Sequence, residues 1–130
     1  MITVLDEYLE TIRLVGIVDY YVDELGIGMA YLSISVPHKE KHFKTFKFTA
    51  DNLKDKFYKP RSGDVIEFLG IIDPITGNSA EGIEFYGLQS STAVKNRLYT
   101  QDWNLKLEIH HRNQNANIQF KLASRPRNAQ

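Results

Sequence analysis

The stretch His42 to Thr49 reads His-Phe-Lys-Thr-Phe-Lys-Phe-Thr and alternates like a strand with a use for both faces. Phe46 and Phe48 suit a core. Phe43, Thr45, Lys47 and Thr49 share the other face, which sets an aromatic ring and an ammonium side by side toward solvent. A flat ring next to a cation is what a surface needs to hold an unpaired base and its phosphate. The competing reading is a core strand with one exposed ring.

Other chemistry is thinly represented. The chain has no cysteine, which excludes disulfides, thiolate metal sites and cysteine nucleophiles. No Gly-x-Ser-x-Gly elbow occurs, and the Leu25–Gly28 run Leu-Gly-Ile-Gly lacks the Gly-Lys-Ser/Thr of a phosphate loop. His38 and His42 are spaced i, i+4, but in a turn entering a strand rather than on one helix face. His110 and His111 are adjacent and point to opposite faces of a strand. Glu67 and Glu84 fall on neighbouring strands with no nucleophile or metal partner beside them. The residues therefore describe a binding protein rather than an enzyme, with no metal or other cofactor.

A length of 130 residues suits one core-forming chain, since domains usually run to ~100–150 residues. Formal charge is zero but strongly segregated. Met1 to His38 carries six acids and one base; Lys39 to Arg61 carries eight bases and three acids. Ser62 to Val94 has five acids and no base, and Lys95 to Gln130 seven bases and two acids. A neutral protein can thus present a positive surface if the two basic blocks meet in space. No run approaches the ~20 apolar residues of a membrane span. The first residues lack the basic region and small-residue cleavage site of a signal peptide, so the expected setting is cytoplasmic, in a bacterium or a virus-infected host cell, with the nucleus as the other compartment open to such a chain.

The elements that must position the ring and cation follow from periodicity and breakers. Met1 to Glu10 suits a short lead-in helix. Ile12 to Tyr21 is β-rich, and its Gly16 suggests a bulge or barrel corner. Met29 to Val36 sets Ala30, Leu32, Ile34 and Val36 on one face and Met29, Tyr31, Ser33 and Ser35 on the other. It pairs as a hairpin with His42 to Thr49, in which parity points Lys44 inward. Asn52 to Tyr58 is expected to be a short helix, with Leu53 and Phe57 sharing a face at i, i+4. Asp64 to Asp73 and Ile83 to Gln89 complete five strands; in the last, Ile83 and Phe85 face one way and Glu84, Tyr86 and Leu88 the other. Trp103 to Leu122 alternates twice around an Asn- and Gln-rich turn and reads as a second β-hairpin, followed by a basic tail.

Three strands, a short helix and two more strands is the order of an all-β OB-fold, a five-stranded Greek-key barrel. The division expected is 1–95 for that barrel and its lead-in, and 96–130 for the appended C-terminal hairpin and tail.

Thr11 to Asp19 ("TIRLVGIVD") and Leu53 to Ile72 ("LKDKFYKPRSGDVIEFLGII") resemble the opening strand, and the helix with fourth strand, of the single-stranded DNA-binding proteins of bacteria and phages. The resemblance spans Thr11 to Thr92 and fits a divergent phage, plasmid or primosomal-type member better than a housekeeping one. The chain ends in "SRPRNAQ" where that family usually has an acidic, partner-recruiting tail. What the resemblance implies is binding of unpaired strands across the second and third strands. Tyr31 and Phe43 become stacking platforms, with Lys47 beside them. Lys39, Lys41, Lys44 and Arg61 become phosphate contacts, and Tyr86, with Tyr20 or Tyr21, further platforms. The function expected is binding of single-stranded DNA, with RNA as the other strand that such a surface accepts, during replication or recombination. The alternative is a protein-interaction or assembly subunit with no nucleic-acid ligand. Either way, Trp103 to Leu122 is the expected contact for a second copy or a replication partner.

Overall fold

The computed structural model describes residues 10–35 and 43–124. The expected lead-in helix over Met1–Glu10 lies outside these residues except for Glu10, which opens the first strand. Five strands follow: β1 (Glu10–Val22), β2 (Ile27–Tyr31), β3 (Thr45–Thr49), β4 (Asp64–Ile72) and β5 (Ser79–Leu88). They close into a barrel in the order β1-β2-β3-β5-β4. All neighbours run antiparallel except β3 and β5, which are parallel and meet at Lys47 and Ser79.

Closure depends on β1 serving two partners. Its first half pairs with β4 from Glu10 to Ile17, and its second half pairs with β2 from Ile17 to Val22. Gly16 does not make the bulge that its place in the strand suggests. It admits the Phe68 ring, which would lie 3.0 Å from a Cβ built there. The irregularity falls instead between Val18 and Tyr20. An extra residue there resets the alternation, so Asp19 and Tyr20 both face solvent before Tyr21 turns back to the interior cluster.

The interior holds Leu14, Val18, Ala30, Leu32, Phe46, Phe48, Ile66, Phe68 and Ile83, all but inaccessible to solvent. The alternation expected along β2 is present: Ala30, Leu32 and Ile34 are buried, while Ser33 and Ser35 are exposed. Its ladder, however, stops at Tyr31, and β3 begins only at Thr45. That late start overturns the placement of Phe43, which lies before β3, so strand parity does not reach back to it. Phe43 is 3 % exposed and joins the interior cluster, while Lys44, expected inside, is exposed.

Between β3 and β4 there is no α-helix. A 3-10 turn over Ala50–Asn52 is followed by irregular chain. Leu53 is taken into the sheet by an isolated parallel bridge to Ile83, and the Asp55 carboxylate accepts the Phe57 N–H at 2.9 Å. A side chain that captures a nearby backbone donor competes with helix formation. The shared face of Leu53 and Phe57 is accordingly lost: Leu53 is buried and Phe57 is 93 % exposed.

The other correction is larger. The residues expected to form a second hairpin lie in one helix, α1 (Thr92–Ser124), 33 residues long. Ser91 caps it, its hydroxyl accepting the Val94 N–H. Trp103, Leu105, Leu107 and Ile109 alternate as a strand would, but among the described side chains of α1 the buried positions are Val94, Leu98, Gln101, Leu105 and Ile109. Their spacing of three and four is helical. Val94 and Leu98 pack with Val15, Ile17 and Val65 on the outside of the barrel, and Leu105 and Ile109 join the interior cluster. Asp102 accepts the Ser33 hydroxyl at 2.6 Å, and the Arg112 guanidinium stands 5.4 Å from the Phe43 ring. The helix therefore packs where the chain leaves β2 and re-enters β3. No helix among the described residues is long and apolar enough to cross a membrane.

Candidate nucleic-acid interface

Helix α1 divides the outside of the barrel into a covered part and an open part. Tyr31 lies in the covered part, half-buried and packed with Val15, Ile17, Val65, Val94 and Leu98. The open part carries a row of cross-strand neighbours: Tyr20 on β1 opposite Met29 on β2, Met29 opposite Lys47 on β3, and Lys47 opposite Ser79 on β5. Tyr20 reaches this row through the Asp19 bulge. A groove of about 380 Å³ runs here, lined by Tyr20, Ile27, Gly28, Lys47, Phe48, Thr49, Asn52 and Ser79.

Two loops flank the groove, and both are held rigidly. The β1–β2 turn closes with Leu25 and Gly26 N–H groups on the Val22 carbonyl, and the Gly26 carbonyl accepts the Ala50 N–H at 2.9 Å. Leu25 stands exposed at its tip. In the β4–β5 loop, Asp73 accepts the Ile75 and Thr76 N–H groups and the Thr76 hydroxyl. Those bonds, led by the Thr76 hydroxyl, hold the Asp73 carboxyl below the usual carboxylate range. Asn78 ties the same loop to β3 through the Thr45 carbonyl at 3.0 Å. Gly77, at φ 95°, lies beside Lys47, whose Nζ would be 3.3 Å from a Cβ at that position. The side chain of Lys47 thus runs alongside the loop, a path that glycine leaves clear.

Across the Ala50–Asn52 turn lie two further hollows that share Tyr58. One, of about 580 Å³, includes Tyr21, Asp23, Asp51, Lys56 and Lys59; the other, of about 690 Å³, includes Lys54, Asp55, Glu84 and Phe85. The segment between them is a built turn. Tyr58 donates its hydroxyl to Asp64 at 2.8 Å and meets Phe85 edge-on at 5.7 Å. Burial, then the bond to Asp64, pushes the Tyr58 phenol up, so it stays a neutral donor. Lys59 is bound to Asp23 at 2.6 Å, which raises its ammonium pKa and joins this turn to the β1–β2 turn. Phe57 projects from the middle with no core to fill.

The expected site residues thus divide. Lys47 sits in the open groove; Lys44 and Arg61 are exposed, and neither they nor Lys47 and Lys56 make an ion pair among the described residues. Tyr31 is partly covered by α1, and Phe43 is a core residue rather than a surface platform. Tyr86 is partly exposed but stands at the far end of β5, about 20 Å along the strand from Ser79. Lys39, Lys41, His38 and His42 lie outside the described residues. No group of three His, Asp or Glu side chains among the described residues could hold a metal ion. Two exposed rings gain weight from the structure, Tyr20 and Phe57. Tyr20 was one of several possible rings, and only the bulge singles it out. Phe57 lies on no helix face, and its sequence neighbours Lys54, Lys56, Lys59 and Arg61 are the signal that marks it, since they form the basic setting a stacking ring needs. In comparison with known proteins, the chain matches no family model, no curated protein and no solved structure.

Proposed function

We propose that this protein is an OB-type barrel that binds single-stranded DNA with little sequence specificity, by base stacking and phosphate contacts, in replication or recombination. The observation that carries the reading is the open row Tyr20–Met29–Lys47–Ser79 across β1, β2, β3 and β5, flanked by the β1–β2 and β4–β5 loops. The face formed by strands 2 and 3 and those two loops are the parts with which OB barrels hold oligonucleotides. A base stacks on Tyr20 against Ile27, and Lys47 meets its phosphate. Phe57, beside the free ammonium of Lys56, takes a further base across the Ala50–Asn52 turn. No step of bond-making is needed, and none is assigned.

The test is a fluorescence-anisotropy titration of labelled oligo-dT at low and moderate salt. Binding is expected to weaken steeply as salt rises. Tyr20→Ala and Phe57→Ala should each lose about 1–3 kcal/mol of affinity, or roughly 5- to 150-fold. Phe57→Ala should leave stability within about 0.5 kcal/mol of wild type, since the ring packs on nothing. Lys47→Ala should lower the salt slope by about 0.7, the value for one single-strand phosphate. Absence of binding at low salt would overturn the reading, and equal binding of oligo-U would extend it to RNA.

A second reading, an interaction subunit without nucleic acid, is favoured by the exposed aromatic face of α1 described next.

A further inference from the structure

Helix α1 has two apolar faces. One packs on the barrel through Val94, Leu98, Leu105 and Ile109; the opposite one carries Tyr99 at 72 %, Trp103 at 56 % and Leu107 at 40 % exposure. The three residues follow one another at four-residue steps, so they form a continuous stripe on the helix. Asn96, Thr100, Lys106 and His110 border it, and no acid interrupts it. We infer that this stripe is where a second copy of the chain docks, as an antiparallel helix pair related by a two-fold axis through Trp103.

The argument for a second copy is the symmetry of the stripe. Trp103 lies midway between Tyr99 and Leu107. An antiparallel pairing centred on it sets Trp103 against the partner's Trp103 and each Tyr99 against the partner's Leu107. The same register puts Asn96 opposite the partner's His110, two side chains that can exchange a hydrogen bond. Lys106 comes opposite the partner's Thr100, so no like charges are opposed. A two-fold interface requires this kind of self-complementarity of a surface patch. Trp and Tyr are also the side chains that most often dominate an interface.

The area sets the strength. At their observed exposures the three side chains offer on the order of 350 Å² per copy, given the ~150–250 Å² that an aromatic residue buries. That is less than half of the ~800 Å² per partner of a standard interface. The dimer is therefore a weak one, populated at micromolar concentrations and above. It forms away from the groove and does not depend on the nucleic-acid reading.

Two properties of the sequence make the test direct: Trp103 is the sole tryptophan, and the chain has no cysteine. Sedimentation velocity of the full chain over a micromolar to submillimolar dilution series should show the mass rising toward twice that of one chain. The tryptophan emission should move to shorter wavelength in step. Trp103→Glu and Tyr99→Lys should both remain monomeric with unchanged circular dichroism. Packed helix axes lie ~8–10 Å apart, which brings facing Cα atoms within the ~4.4–6.8 Å reach of a disulfide. Trp103→Cys should therefore cross-link to a dimer under mild oxidation, whereas Arg61→Cys should not. A wild-type chain monomeric throughout, or a dimer that survives both charge substitutions, would overturn the inference. So would a monomer whose Trp103→Glu variant loses oligo-dT binding, since the stripe would then be a nucleic-acid surface.

Discussion

Replacing Gln101 by alanine should destabilise the protein by about 2–5 kcal/mol, although the residue sits on a helix and touches no ligand. Its side-chain amide does the work of a missing strand. β1 pairs with β2 only from Ile17 onward, which leaves the inner N–H and C=O of Val15 facing α1. Gln101 accepts the Val15 N–H and donates to the Val15 carbonyl, both at 2.7 Å. Val15 is fully buried, and Gln101 is nearly so. Deletion of the amide leaves two backbone groups dry and unpaired, at ~1–3 kcal/mol each. For a chain of this size the melting temperature should fall by about 10 °C or more.

Gln101→Glu gives a sharper check, because an ionised carboxylate accepts but cannot donate. Burial raises the introduced carboxyl's folded pKa above its unfolded value of about 4.3. Below about that value the group is protonated in both states, and its hydroxyl can bond the Val15 carbonyl, so the variant should approach wild type there. As pH rises through the raised folded pKa the deficit should grow. A deficit independent of pH, or Gln101→Ala as stable as wild type, would show that water satisfies Val15 instead.

Phe43→Ala should act on folding and only through folding on binding. The ring is buried with Ile34, Leu105 and Ile109 in the interior cluster, and Arg112 lies over its face. Truncation of a buried phenylalanine leaves a cavity and is worth about 3–5 kcal/mol. Urea titration should show the midpoint falling with the slope unchanged, and Phe43→Leu should recover most of the loss. A Phe43→Ala variant within about 0.5 kcal/mol of wild type would return the ring to the surface and to a stacking role.

These two residues mark what sequence reasoning could and could not see. Ala30, Leu32 and Ile34 were readable because alternation persists past the end of the β2 ladder; side-chain period depends on extended backbone rather than on a hydrogen-bonded neighbour. The succession of five strands was readable for the same reason. Parity carried back from Phe46 misplaces Phe43, because the residues before Thr45 lie outside β3. For Tyr20 the opposite holds: one bulge reset the parity that would otherwise have placed it, a shift that no pattern of apolar residues announces. Trp103 to Ile109 satisfied both periods at once, since Leu105 and Ile109 are four apart as well as alternating. Gln101 and the capping Ser91 favoured the helix, but a single buried amide leaves no mark on a hydrophobicity pattern. The interface suffered most, because a groove is assembled from four strands and two loops far apart in the chain.

The barrel's ring of strands is closed unequally. β4 holds β1 and β5 through long ladders, while β3 and β5 share one register pair, reinforced by the Lys47 N–H on the Asn78 carbonyl and by the Asn78 amide on Thr45. Such a seam should open locally at lower free energy than the whole molecule unfolds. In native-state hydrogen exchange the Lys47 amide should therefore trade its proton well before those of Val15 or Phe68. The groove lies across this seam, so a strand seated on Tyr20 and Lys47 would span β1 to β5 and bind only the closed ring. Slowed exchange at Lys47, with Val15 and Phe68 unchanged, would report occupancy of the groove without any label on the ligand.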